Sequence, residues 1–221
     1  YSYLLRDSLS KNRYDKFKSY KFGEHRFVSL GGEVRYQMQN FVDEDWGDFP
    51  VREYTAFYSR FLFHADVHFG KAVRGFVQFN STFANGRVTP NRSIDENRFN
   101  LHQVFVDVQV AKPLLLRVGR QELLYGSQRI IAVREGPNNR QSFDAAKMII
   151  RQRNITTDFF YARPVSIRPD VLDDTFNESL SLWGGYAVIT KFPLLKNIDL
   201  YYLGYQREQA RFDDGIADEL R

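Results

Sequence analysis

Residues 56–69 read AFYSRFLFHADVHF, and the alternation within this stretch decides the fold. The odd-numbered positions are mostly Phe, Ala and Val, whereas the even-numbered positions include Arg60, His64, Asp66 and His68. Successive side chains of a strand point to opposite faces, so the pattern predicts one apolar face and one face with both signs of charge. Such a strand is typical of a transmembrane β-barrel, which has lipid outside and water inside.

The same alternation recurs along the chain and predicts nine strands. Gly, Pro and Asn mark the links between them, which are long after odd-numbered strands and short after even-numbered ones. Outer-membrane barrels have short periplasmic turns and long external loops, so the first strand is expected to run outward. The predicted strands are about 26–41, 54–69, 72–83, 98–110, 114–124, 142–152, 156–163, 180–191 and 198–207.

The predicted fold class is all-β, an antiparallel transmembrane β-barrel of the bacterial outer membrane. Bacterial barrels usually have an even number of strands, and an open sheet would leave unpaired edges in lipid. Nine strands followed by a polar tail at 208–221 therefore indicate the N-terminal part of a larger barrel, with a miscounted strand as the alternative. We expect residues 1–25 to be a periplasmic lead-in segment and residues 26–221 to be a partial barrel domain.

Composition agrees with this interpretation and excludes several classes of protein. The 221 residues contain no cysteine, which excludes disulfides and cysteine-ligated metals, and no apolar run approaches the ~20 residues of a spanning helix. The 31 Lys and Arg exceed the 27 Asp and Glu only slightly and are spread over nearly every strand, so no nucleic-acid partner is expected. The absence of an initial Met and of a signal segment is interpreted as processing of an exported protein.

Four stretches resemble the alginate export family of Gram-negative outer membranes, and the similarity runs from about Ser29 to the end of the chain. They are residues 28–35 (VSLGGEVR), 101–107 (LHQVFVD), 116–126 (LRVGRQELLYG) and 133–144 (VREGPNNRQSFD), the last being the most specific. The resemblance implies a barrel of about eighteen strands, of which this chain supplies about half. It also implies a narrow, positively lined conduit for an anionic polysaccharide, and we expect a relative of the Bacteroidetes type.

The candidate pore-lining residues come from strand parity and from the resemblance. Parity puts Arg35, Arg60 and Arg74 on the polar face, because a charge facing lipid at the bilayer centre costs about 2–4 kcal/mol. The resemblance adds Arg120, Arg134 and Arg140. The acidic residues expected to hold these arginines are Glu33, Asp66, Asp107 and Glu122.

Two questions about these arginines stay open in the sequence. Arg–acid pairs also brace the walls of barrels that bind nothing, so each arginine has a purely structural alternative. In addition, Arg117 and Arg120 have opposite parity, so one of them lies near a strand end or a bulge intervenes.

The predicted function is a channel that passes an anionic polysaccharide such as alginate, or a related oligosaccharide, by passive diffusion through an arginine-lined lumen. Planar guanidinium groups bind carboxylates bidentately, and several weak sites in succession permit conduction. A generic small-solute porin is the closest alternative, and an outer-membrane enzyme or a soluble sugar-binding sandwich are further ones. The expected partners are the polysaccharide, outer-membrane lipid and, where the resemblance holds, periplasmic export components.

No catalytic residue, metal site or cofactor is predicted. His64, Asp66 and His68 share one face, but residues four apart in a strand lie about 13 Å apart and cannot hold one ion.

Overall fold

The structure is a computed structural model that describes residues 18–47, 51–192, 194–213 and 215–221. Within these residues the chain forms one antiparallel sheet of twelve strands and a short 3-10 helix at Glu44–Gly47. None of the helical segments described is long and apolar enough to cross a membrane. The strands are β1 (Ser19–Gly23), β2 (Arg26–Val42), β3 (Glu53–Phe69), β4 (Val73–Asn85), β5 (Asn97–Ala111), β6 (Leu114–Gln121), β7 (Phe143–Gln152), β8 (Ile155–Ser166), β9 (Thr175–Phe176), β10 (Leu180–Phe192), β11 (Leu195–Phe212) and β12 (Gly215–Leu220).

The strands follow one another as a meander in the order β1 to β8, then β10, β11 and β12, while β9 pairs with the end of β8. All nine predicted strands are present, as β2 to β8, β10 and β11. The links also alternate as predicted from β2 to β11, with long connections at 43–52, 86–96, 122–142 and 167–179. The sheet is antiparallel throughout but not closed, because β1 and β12 each have one paired neighbour among the described residues.

The strand count of nine was too low, because three short strands were assigned to other segments. β1 lies in the predicted lead-in, where Tyr20 pairs with Val28, while residues 1–17 lie outside the described residues. β12 lies in the predicted polar tail, and Arg207 pairs there with Glu219 and Ala210 with Ala217. Polar sequences of this kind carry little apolar alternation, yet their backbone groups still pair with an adjacent strand edge.

The two faces of the sheet differ as the alternation predicts, and their burial is the reverse of that in a soluble protein. On β2 the apolar side chains Val34, Tyr36 and Met38 are exposed to between 62% and 75%. On β3 the charged side chains Arg60 and Asp66 are 1% and 2% exposed. Charged groups are rarely this buried unless they are paired, so the polar face must supply their partners.

The polar face is covered in part by the connection between β6 and β7, residues 122–142, which we call the crossing loop. Its first half contributes Leu123 and Ile131 to a buried apolar cluster with Phe143 and Phe160 of the sheet. Its second half contacts β2, β3 and β4 on the other side of the polar face. The loop therefore crosses the polar face instead of extending away from the sheet.

Candidate functional site

Two adjacent asparagines fix the second half of the crossing loop to the sheet. Asn138 Nδ2 donates to the backbone carbonyls of Ser59, Phe83 and Asp95 at 2.9–3.1 Å. Asn139 Oδ1 accepts hydrogen bonds from Asn80 at 3.2 Å and from Thr82 at 2.8 Å. Both asparagines are buried, so each of these hydrogen bonds stabilises the loop in a place where an unpaired amide would be costly.

A cluster of six charged residues joins the crossing loop to the wall, and we call it the loop cluster. Arg60 donates to Glu33 at 2.5 Å and also to Glu135 of the loop. Arg35 donates to the backbone carbonyls of Glu135 and Pro137, both at 2.9 Å. Its members are Glu33, Arg35 and Arg60 of the wall and Glu122, Glu135 and Arg140 of the crossing loop.

Arg140 makes the matching contacts from the loop side. It donates to Glu33 at 3.0 Å and to Glu135, and it lies 3.8 Å from Glu122. Burial raises the pKa of Glu135, but hydrogen bonds from Arg140 and Arg60 outweigh this effect and hold it below its ordinary value of 4.5. Burial lowers the pKa of Arg140, but these carboxylates raise it above its usual range. Both loop residues are therefore ionised at neutral pH.

A second group of charged residues lies on the same face further toward the short turns, and we call it the wall cluster. It consists of Asp66, Arg74, Asp107 and Arg117. Arg74 donates to Asp66 at 2.7 and 3.1 Å and to Asp107 at 2.9 Å, and Arg117 donates to Asp107 at 2.6 and 2.9 Å. The Arg117 guanidinium also lies 4.0 Å from the centre of the Phe105 ring. These contacts all join adjacent strands, so the cluster braces the wall.

Eight of the ten residues selected from the sequence fall into these two clusters. Sequence reasoning missed Arg117 and Glu135 as members, although Glu135 lies within the motif at 133–144 and Arg117 has the parity of the polar face. The loop cluster contains the predicted Glu33, Arg35, Arg60, Glu122 and Arg140, and the wall cluster contains the predicted Asp66, Arg74 and Asp107.

Arg120 does not join them. It stands opposite Val104 on β5, and its guanidinium bonds to Asp144 at 2.8 and 3.1 Å and to the Leu101 and Asp174 carbonyls. Its side chain is therefore on the apolar side, under the 167–179 connection, and not beside Arg117. The assignment of Arg120 to the pore lining came from the resemblance and not from strand parity, and its pairing with Val104 and Asp144 puts it on the face opposite Arg117.

Arg134 is placed differently again. It lies in the crossing loop, is exposed and forms no ion pair with any residue that the structure describes. Arg129 of the same loop is also exposed and has no such partner among those residues. In contrast, the loop cluster holds three arginines and three glutamates, and the wall cluster holds two arginines and two aspartates. The crossing loop thus carries two exposed cations that no described residue neutralises, whereas the arginines of the two clusters are paired with carboxylates.

The sheet is an antiparallel meander with one exposed apolar face and one charged face that an inserted loop covers in part. This is the arrangement of the wall of a transmembrane β-barrel. Within that class, the model of the alginate export family matches residues 26–221, and the chain belongs to this family. No curated protein and no solved structure gives a significant match. The family match does not distinguish a Bacteroidetes-type relative from others, so that assignment stays a prediction.

Proposed function

We propose that the chain forms the wall of an outer-membrane channel that passes an anionic polysaccharide such as alginate by passive diffusion. The observation that carries the proposal is the crossing loop, which Arg35, Arg60 and Asn138 hold across the polar face. A loop held there would narrow a water-filled lumen. Family membership supports polysaccharide export, and the exposed apolar face would contact outer-membrane lipid.

The domain assignment follows from the same proposal. Residues 26–221 would form the barrel wall, to which β1 (Ser19–Gly23) adds one strand, and the residues before β1 would lead into it from the periplasm, where export components would be its partners. The strongly paired arginines would set the shape of the path, and Arg129 and Arg134 of the crossing loop, which form no ion pair with a described residue, would attract the polymer. This division suits conduction, because a polyanion must be attracted and yet released at each site.

A generic porin for small solutes is the alternative, because it would use the same kind of wall. The test is single-channel recording of the full-length protein in planar bilayers, with alginate and with a neutral glucan of matched length. We expect anion-selective current that alginate interrupts and the glucan interrupts much less.

Conductance that is equally insensitive to both polymers would overturn the polysaccharide channel in favour of the porin. Equal blockade by both would retain a polysaccharide path but overturn its preference for anions.

A further inference from the structure

Four aromatic rings form a continuous stack on the polar side, where the first half of the crossing loop meets β8, β10 and β11. Phe160 stacks on Tyr125 with ring centres 5.3 Å apart, Tyr125 on Tyr186 at 4.8 Å, and Tyr186 on Tyr201 at 5.7 Å. The last ring is the accessible one, because Tyr201 is 56% exposed whereas Tyr186 is 7% exposed. The stack thus presents one supported aromatic face.

The two inner tyrosines of the stack are fixed by carboxylates on neighbouring strands. Tyr125 donates to Asp158 at 3.0 Å, and Tyr186 donates to Asp199 Oδ2 at 2.6 Å. Burial, and then the Asp158 carboxylate, raise the pKa of Tyr125, so its hydroxyl stays protonated and able to donate. Tyr186 is thereby a fixed support on which the outermost ring, Tyr201, stacks.

A cavity of about 430 Å³ opens beside this row and is lined by Tyr201, Tyr186, Asp199 and Arg129 among others. Its volume lies within the usual range of ligand sites, about 300–1,000 Å³. Asp199 uses only Oδ2 to accept from Tyr186, which leaves Oδ1 for a further donor. Arg129 is exposed and forms no ion pair with any residue in the described part of the chain.

These three features match the three chemical parts of one uronic acid residue. The C–H face of a pyranose ring is apolar and packs on an aromatic face, its hydroxyl groups donate to a carboxylate oxygen, and its own carboxylate pairs with a guanidinium. A neutral sugar would use the first two features only. A small inorganic anion would use only the third.

We propose that the Tyr201 face, Asp199 and Arg129 form a binding subsite for a single uronate unit of a polysaccharide chain. The subsite rests on the proposed function, because it gives the path a specific resting place for the polymer. It is distinct from the loop cluster and the wall cluster, which share none of its residues. Because Arg129 belongs to the crossing loop and Tyr201 to the wall, the subsite exists only while the loop lies across the polar face.

The test is calorimetric titration of the full-length protein in detergent micelles with a uronate trimer and with a neutral glucan trimer. The variants are Arg129→Gln, Tyr201→Ala and Tyr201→Phe. Arg129→Gln is expected to weaken binding of the uronate trimer by about tenfold or more, as loss of a charged hydrogen bond does, and to leave the glucan unchanged. Tyr201→Ala is expected to weaken binding of both trimers by about tenfold, and Tyr201→Phe to bind as the unmodified protein does.

Each of the two residues has a matched control: a tyrosine of the same strand for Tyr201, and another exposed arginine for Arg129. Tyr202→Ala removes a tyrosine that is 73% exposed on the opposite face of β11, and Arg151→Gln removes an exposed arginine near the turn between β7 and β8. Both are expected to bind as the unmodified protein does. Equal affinity of Arg129→Gln, Tyr201→Ala and the two controls for the uronate trimer would overturn the subsite.

Failure of the subsite and failure of the proposed function are distinguishable, because calorimetry requires no conductance. Uronate binding that depends on Tyr201 and Arg129 in a protein that conducts nothing would support the subsite and overturn the channel. Conductance blocked by alginate with no dependence on either residue would support the channel and overturn the subsite. No uronate binding by the unmodified protein would also overturn the subsite.

Discussion

Arg35 and Arg60 stand directly opposite each other on β2 and β3, a position in which like charges repel. The structure accommodates the pair because three acceptors lie beside it. Arg60 donates hydrogen bonds to the side chains of Glu33 and Glu135, and Arg35 donates to the backbone carbonyl of Glu135. Glu135, Pro137 and Asn138 belong to the crossing loop, so Arg35 has hydrogen-bond partners only when the loop is in place, whereas Arg60 also has Glu33 of the wall. The loop thus reduces the repulsion between Arg35 and Arg60, and these same contacts attach the loop to the wall.

Replacement of Arg60 tests this role of the residue. Arg60→Ala removes hydrogen bonds to two carboxylates, and because Glu33 and Glu135 are 39% and 51% exposed we expect a loss of only about 1–2 kcal/mol in the free energy of unfolding. Cleavage within the crossing loop by trypsin should become faster. Urea unfolding in micelles and a timed digestion measure the two effects.

The control for Arg60 is Arg98→Gln, since Arg98 and its partner Asp170 are 61% and 69% exposed and their pair is screened by water. We expect that variant to change stability by less than about 0.5 kcal/mol. Equal behaviour of the two variants would contradict the role assigned to Arg60.

At the scale of elements, the nine long strands could be predicted from the sequence, whereas the three short strands and the path of the crossing loop could not. Alternation with a period of two is local, so residues 56–69 identify β3 without knowledge of its neighbours. The contacts that bring the loop inward join residues about a hundred positions apart, as between Arg35 and Glu135, and no local pattern carries them. Arg120 shows the same limit, because its partners Asp144 and Asp174 become visible only once β7 and the 167–179 connection are placed.

Attachment of the crossing loop should depend on pH through Glu135. The pKa of Glu135 is lower in the folded protein than its ordinary value of 4.5, because its hydrogen bonds with Arg140 and Arg60 outweigh burial. Its contribution is therefore fully present above pH 4.5 and is lost as the pH falls through the lowered pKa. We expect the loop to become more accessible in that acidic window, measured by a fluorescent label on a cysteine introduced at Ser127.

The matched variant for this experiment is Glu135→Gln, which cannot be ionised. It should show high loop accessibility at neutral pH and little further change on acidification. A Glu135→Gln protein that retains the full pH response would assign the titration to another group.

At the scale of the whole molecule, the selectivity of the proposed channel would depend on the charge that is left over after pairing. The arginines of the loop cluster and the wall cluster are matched by equal numbers of carboxylates, so they contribute shape and local polarity more than net potential. The exposed Arg129 and Arg134 of the crossing loop add positive charge that no described residue neutralises. A cation in a water-filled constriction raises the local concentration of anions without holding any one of them tightly.

Neutralisation of Arg134 should therefore reduce the anion preference of the proposed channel, and neutralisation of Arg120 should not. One uncompensated charge in water is worth about 1 kcal/mol at 4 Å and less after screening by salt, so we expect Arg134→Gln to lower the anion-to-cation permeability ratio roughly twofold to fivefold. Reversal potentials under a salt gradient measure this ratio. Arg120→Gln is the contrast, because Arg120 is bonded to Asp144 on the apolar side of the sheet. A loss of anion preference in Arg120→Gln alone would mean that the conducting path follows the other face of the sheet.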